Sequence, residues 1–190
     1  MSYLSGIYVL EDAAFLADAL AAGISRIGCR VHDTAPGGEV SPKKDTVEVS
    51  ITNWRDGWSH IRLFGDVDGT GYVADHLVVQ TPREKVIFCR YEPGLGEFSY
   101  SCLHVGQEVE RFSCDGPGLE SIAFYSDLRK MPVTGMVNVR AFMKDSLTAQ
   151  GLGPRPEGSV RTDPSIIYFS PPAKSSLIRK LLGTMWPDMP

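Results

Sequence analysis

The residues best suited to chemistry are the four histidines and the aspartates that lie among them. Imidazole and carboxylate side chains act as general acids, general bases and metal ligands when folding brings them together. One hypothesis is therefore a metal-dependent or histidine-based hydrolase that acts on a nucleotide or a small substrate. It requires convergence of a set drawn from separate segments: His60, Asp66, Asp68, His76 and His104.

The segment DVDGTGY, residues 66–72, begins like a calcium-binding loop. With Asp66 as the first ligand, Gly71 is correctly sixth, but Leu77 is twelfth, where a bidentate carboxylate is needed. A polar turn is the better interpretation. The chain also lacks a phosphate-binding G-K-[ST] loop, a G-x-S-x-G elbow and an H-E-x-x-H pair. We therefore predict no catalytic residue, no metal site and no cofactor.

Cysteine offers a further route to catalysis. Cys102 and His104 are two residues apart in an apolar run, so on a strand they share one face, roughly 6–7 Å apart. That separation is too long for a hydrogen-bonded nucleophile pair. Because cysteine packs as a small hydrophobe, we interpret all four cysteines as buried free thiols. A disulfide is the alternative for the three in neighbouring predicted strands: Cys89, Cys102 and Cys114.

Length and composition predict one soluble domain, residues 1–190. The chain is 43% hydrophobic and 22% charged, which suffices for a core without disulfides. Its net charge of -4 at pH 7 disfavours a nucleic-acid binder, which needs lysine and arginine to neutralise phosphates. No apolar run approaches the ~20 residues that span a bilayer, and residues 1–10 lack the basic segment of a secretory signal. We expect a cytoplasmic protein without membrane or nucleic-acid contacts.

The stretch from Glu84 to Cys114, EKVIFCRYEPGLGEFSYSCLHVGQEVERFSC, predicts a three-stranded antiparallel meander. Its β-branched and aromatic residues favour strands, and turn residues at 92–96 and 105–107 separate three runs. We expect this meander at the centre of a mostly antiparallel sheet with helices packed on one face. The fold class is α+β.

Other segments predict the flanking elements. The acidic pair Glu11-Asp12 opens a helix that Gly23 closes, since glycine takes the left-handed conformation that ends helices. Asp56-Gly57 predicts a tight hairpin turn. Ile166–Phe169 predicts an edge strand.

Several segments fit more than one structure. Residues 72–80 and 133–143 each fit a strand or a helix, and residues 119–127 favour a short helix, with a strand at 122–125 as the alternative. Proline and glycine predict flexible loops at 32–44 and 151–165. Residues 173–182 have the apolar spacing of a terminal helix.

Acidic and aromatic residues alternate along the meander. Charge that steers a partner and rings that anchor it are typical of a surface that binds a basic protein. Two tryptophans beside the Asp56-Gly57 turn are further candidate anchors. In the alternative interpretation, the rings face inward and the acids only maintain solubility. The predicted partner-binding residues are Trp54, Trp58, Glu92, Glu97, Tyr100, Glu108 and Glu110.

The segment FSYSCLHVGQEVERF, a strand, a glycine turn and a second strand, resembles segments of small bacterial immunity proteins. Those proteins neutralise polymorphic or contact-dependent toxins. The resemblance implies a non-enzymatic inhibitor that plugs the active cleft of a basic toxin domain with acidic and aromatic side chains. For a nuclease toxin, it implies that Glu108 and Glu110 stand where substrate phosphates bind.

Overall fold

The structure is a computed structural model that describes residues 5–32, 45–65, 68–92, 97–114, 122–127, 139–153 and 163–172. Within these residues there are three α-helices, one π-helix and nine strands. The helices are α1 (Ala13–Arg26), α2 (Thr70–Ala74), the π-helix (Asp75–Gln80) and α3 (Val139–Ala149). The strands are β1 (Gly6–Leu10), β2 (Arg30–His32), β3 (Val47–Arg55), β4 (Trp58–Gly65), β5 (Lys85–Glu92), β6 (Glu97–His104), β7 (Gln107–Cys114), β8 (Ile122–Ser126) and β9 (Ser165–Ser170).

All nine strands belong to one sheet in the order β2-β9-β3-β4-β1-β5-β6-β7-β8. Every pairing in it is antiparallel. The α+β class with an antiparallel sheet is therefore as predicted. The position of the predicted meander is not: β5, β6 and β7 pair in chain order, but they lie to one side, and β1 occupies the centre.

The sheet separates two hydrophobic cores, and β1 contributes side chains to both. Successive side chains of a strand point to opposite faces, so Ile7 and Val9 enter one core and Tyr8 enters the other. We name these the α1 face and the α3 face of the sheet, after the helices that cover them. All three side chains are buried.

Helix α1 packs on the first face through Leu16, Leu20 and Ile24, whose spacing places them on one side of a helix. Helix α3 packs on the second face, where the Phe142 ring lies 4.4 Å from the Phe112 ring, centroid to centroid. The prediction that all helices pack on one face is thus wrong. Nothing in the periodicity of a single helix specifies which side of a sheet it covers.

Helix α1 also ends later than predicted. Asp12 caps its first turn by accepting hydrogen bonds from the Ala14 and Phe15 N–H groups, as the acidic pair predicts. The helix then passes through Gly23 and ends at Arg26. Gly23 does not end the helix; it lies against the ring of His76, where a Cβ would overlap.

Three ambiguous segments are now assigned. Residues 70–80 are helical, residues 122–126 form a strand, and the segment from Val139 onward is helical. The favoured short helix at 119–127 is therefore wrong. The predicted edge strand is wrong in position: β9 lies between β2 and β3.

Most of both predicted loops and the predicted helix at 173–182 lie outside the described residues. Within the described part of the chain, no helix combines the length and apolar character needed to cross a membrane. The three cysteines whose side chains are described, Cys29, Cys89 and Cys102, are free and buried, which confirms the thiol prediction for them.

Two hairpin turns use left-handed backbone conformations. Asp56 and Gly57 have φ of 48° and 80°, and Val105 and Gly106 have φ of 48° and 74°. Positive φ at both central residues is typical of the type I′ turn, which suits asparagine, aspartate or glycine. A β-branched valine is therefore strained at position 105, where it is also 54% exposed.

Replacing the strained valine by asparagine should relieve this strain. We expect Val105→Asn to raise the free energy of unfolding by about 1 kcal/mol, the scale of the left-handed penalty for a side chain with a Cβ. Val79→Asn is the matched control, because Val79 is 45% exposed but lies in the π-helix. Urea unfolding of both variants measures the difference, and equal effects at the two positions would contradict the strain argument.

Candidate functional site: an open face of the sheet

Part of the α3 face, on strands β9, β3 and β4, carries side chains that remain in contact with solvent. Along β3, Val47, Val49 and Ile51 fill the α1-face core, so the residues between them point to the opposite side. The same alternation applies to β4 and β9. We name this surface the open face; its residues are Glu48, Ser50, Thr52, Arg62, Phe64, Ile166 and Tyr168.

Large apolar side chains lie on the open face. Phe64 is 44% exposed and Ile166 is 38% exposed. The Arg62 guanidinium lies 5.0 Å from the centroid of the Phe64 ring, a cation–π contact. Ser50 on β3 is the register partner of Ile166 on β9 and of Arg62 on β4, so it lies between these two residues. Phe64, Ile166 and the Arg62 guanidinium therefore lie close together on this face.

A tyrosine and a glutamate occupy the next row. Glu48 is the register partner of both Tyr168 and Phe64. Burial raises the pKa of the Tyr168 phenol, and the Glu48 carboxylate raises it further through its charge and a hydrogen bond. The Tyr168 hydroxyl therefore stays protonated at neutral pH and donates a hydrogen bond to the Glu48 carboxylate.

An aromatic cluster bounds the open face beside β1. His60 stacks on Tyr8 with centroids 4.5 Å apart, and Trp54 meets His60 edge-on at 5.2 Å. The Trp54 indole N–H donates to the Gly153 carbonyl at 3.2 Å. A Cβ at Gly6 would overlap the His60 ring, so glycine is needed there. Trp54 is half-buried and is the predicted partner-binding residue nearest to the open face.

Three other members of the predicted partner-binding set are buried. Trp58 is 4% exposed, and Tyr100 and Glu110 are each 1% exposed. Trp58 and Tyr100 pack in the α3-face core with α3. These side chains therefore contribute to the core of this fold, and they offer no surface to a partner.

A β-bulge explains the position of Glu110. Residues two apart on a regular strand share a face, so a regular β7 would place Glu108 and Glu110 on the same side of the sheet. The register instead pairs Cys102 with Glu110 and Leu103 with Glu108, so Val109 is an extra residue. The two glutamates consequently point to opposite faces.

Glu108 lies on the α1 face of β7 in a small polar network. Its Oε1 accepts hydrogen bonds from Ser101 Oγ at 2.6 Å and from Arg111 Nε at 2.9 Å. Glu97, also on this face, is half-exposed, and its register partner is Glu92, whose side chain is outside the described set. Glu97 and Glu108 sit at opposite ends of neighbouring strands. The predicted acids thus do not form one cluster.

The histidines and acids of the hydrolase hypothesis do not converge either. His60 lies on the α3 face, whereas His76 is buried against α1 on the other face. His104 and Asp68 are exposed, and Asp66 is outside the described residues. Among the described side chains, no group of three His, Cys, Asp or Glu could hold a metal ion.

The Cys102 and His104 pair also lacks the features of a nucleophilic site. Burial raises the pKa of the Cys102 thiol to about 11, so the thiolate is scarce at neutral pH. His104 is exposed at the end of the same strand, while Cys102 is fully buried.

The sequence of β9 contains a pattern that indicates part of the open face, and the edge-strand prediction overlooked it. Ser165–Ser170 reads SIIYFS, a continuous apolar run, and such runs belong to strands with apolar side chains on both faces. An edge strand with one solvated face would alternate. The run therefore indicated both the interior position of β9 and the apolar residues Ile166 and Tyr168 on its second face.

The chain matches no protein-family model, no curated protein sequence and no solved structure.

Charge reversal at a buried and at a half-exposed member of the predicted acidic set tests this geometry. We expect Glu110→Lys to lower the free energy of unfolding by about 3 kcal/mol or more, the scale of an uncompensated buried charge. Glu97→Lys should change it by less than about 0.5 kcal/mol, as surface substitutions outside buried networks do. Chemical denaturation of the two variants provides the comparison. Equal stability losses would show that Glu110 is not buried by the bulge.

Proposed function

We propose that this chain is a non-enzymatic protein-binding module and that the open face is its contact surface. The observation that carries the proposal is the exposure of Phe64 and Ile166 beside Arg62 and Tyr168, on a sheet face whose other half is covered by α3. The strands hold the backbone of these residues in fixed positions, so less conformational entropy is lost on binding than from a loop.

The composition of the open face supports protein binding more than small-molecule binding. Aromatic residues and arginine are enriched where protein interfaces are fully buried, and hot spots are most often Trp, Tyr and Arg. Ser50 lies between Ile166 and Arg62, and Thr52 lies beside His60; both supply hydroxyl groups for hydrogen bonds. A small-molecule site would instead be a concave cleft.

The partner that we propose is a basic protein, such as a toxin domain neutralised by an immunity-type inhibitor. The net charge of -4 favours the approach of a basic partner over an acidic one. Glu48 is the acid on the open face, and it lies between Phe64 and Tyr168. A lysine or arginine of the partner placed there would meet a carboxylate flanked by two aromatic rings.

Substitution on the open face should abolish binding. The full-length chain is immobilised and exposed to an extract of the cells that produce it, alongside Phe64→Glu and Ile166→Glu variants. We expect a protein retained by the unmodified chain to bind each variant at least about tenfold more weakly, a loss of about 1.4 kcal/mol.

Phe15→Glu is the matched control, because Phe15 is 60% exposed but lies on α1, away from the open face. Thermal unfolding of each variant separates lost binding from lost folding. Retention of the same protein by both open-face variants, or its loss with Phe15→Glu, would contradict the proposal.

The charge of the partner is tested separately with the purified complex. If the partner is basic, the association rate constant should fall as the salt concentration rises, since salt screens the steering between opposite net charges. The Glu48→Gln variant should show a weaker salt dependence than the unmodified chain, with Glu97→Gln as a control on the α1 face. An association rate that rises with salt would exclude a basic partner.

A further inference from the structure

His76 is buried in the contact between the π-helix and α1. It is 3% exposed, and a Cβ at Gly23 would overlap its ring. Glycine in the middle of a helix costs roughly 0.5–1 kcal/mol relative to alanine. The chain therefore accepts a local destabilisation of α1 so that the imidazole can lie directly against the helix backbone.

The His76 ring has no protein acceptor in the described part of the chain, since neither Nδ1 nor Nε2 has a hydrogen-bond partner there. Its charged neighbours are mostly cations. Burial lowers the pKa of His76, Arg83 and Arg26 lower it further, and Asp75 on the same π-helix opposes them.

These charged groups come from α1, from the π-helix and from the segment that follows it. Arg26 is in the last turn of α1, and Arg83 follows the π-helix. Arg83 also forms a 2.9 Å ion pair with Glu11 at the end of β1, so that carboxylate is engaged with Arg83 and does not compensate a charge on His76. A proton on His76 would add a third cation to this contact.

The π-helix is the element able to respond. π-Helices are rare, occur mostly as single turns and are frequent at functional sites. This one is tied to the following segment by two backbone hydrogen bonds, from Thr81 N–H to His76 O at 3.0 Å and from Arg83 N–H to Leu77 O at 3.1 Å. The acceptors of these two bonds are the carbonyls of His76 and its neighbour Leu77.

We propose that protonation of His76 in mild acid releases the π-helix from α1, so that this contact is a pH-sensitive switch. In the packed state the proton is disfavoured by burial and by two guanidinium groups. In the released state the imidazole is solvated and binds a proton near its usual pKa of 6.5. The released state therefore holds more protons, and the packed contact loses stability as the pH falls below about 6.5.

Hydrogen exchange on the full chain between pH 7.5 and pH 5 tests the switch. After correction for the intrinsic pH dependence of exchange, protection of the Thr81 and Arg83 amides should fall as the pH decreases. The Asp127 amide, which donates to Val109 O at 2.9 Å in the β7–β8 region, serves as the reference and should keep its protection. Constant protection of Thr81 and Arg83 across this range would overturn the proposal.

Substitutions identify His76 as the group responsible. His76→Leu should remove the pH dependence at Thr81 and Arg83, and an unchanged pH dependence in that variant would overturn the proposal. If His76→Leu does not fold, the exposed Arg26 gives a second test. Arg26→Gln should raise the pKa of His76, measured by NMR, and should reduce the loss of protection, whereas the exposed Arg30→Gln should do neither. Titration of His76 at or above 6.5 in the unmodified chain would also overturn it.

Discussion

The two-sided burial of β1 is the constraint on which the rest of the structure depends. A strand buried on both faces needs a hydrophobic core on each side. The side chains of β1 alternate between the α1-face core and the α3-face core. Ile7 and Val9 require α1, and Tyr8 requires the aromatic cluster and α3. The hairpins on either side of β1 then complete its backbone hydrogen bonds through β4 and β5. Placing helices on both faces follows from this strand.

The helices do not cover both faces along their full width. Helix α1 packs over β2, β9, β3 and β4 on its side, whereas α3 contacts β7 on the other side through Phe142 and Phe112. This diagonal arrangement leaves the α3 face of β9, β3 and β4 to side chains that contact solvent. Phe64 and Ile166 are exposed there because no described helix covers them with apolar side chains. The alternation of side chains along β4 and β9 is regular. The open face is thus a consequence of where the two helices lie.

Local chemistry predicted the elements better than their arrangement. Asp56-Gly57 specified a hairpin and Asp12 specified a helix start, because turns and caps depend on neighbouring residues only. The insertion of β9 between β2 and β3 joins segments more than 100 residues apart in the chain, and no local pattern encodes it. The bulge at Val109 moved Glu110 into the core for the same reason: it is specified by the pairing of two strands, not by either alone. The predicted acidic surface depended on that register.

The departures from local preference are not spread evenly through the molecule. A glycine inside a helix, a buried imidazole and a π-helix coincide at the contact of Gly23 with His76, and each is unfavourable when considered separately. Leucine at position 76 and alanine at position 23 would satisfy helix propensity and burial together. Sequences that fold well follow local rules except where a function opposes them, so coincident exceptions point to function more strongly than any one of them. The open face differs from this contact. Its apolar residues have a high propensity for strands, and they are unusual only because they are exposed.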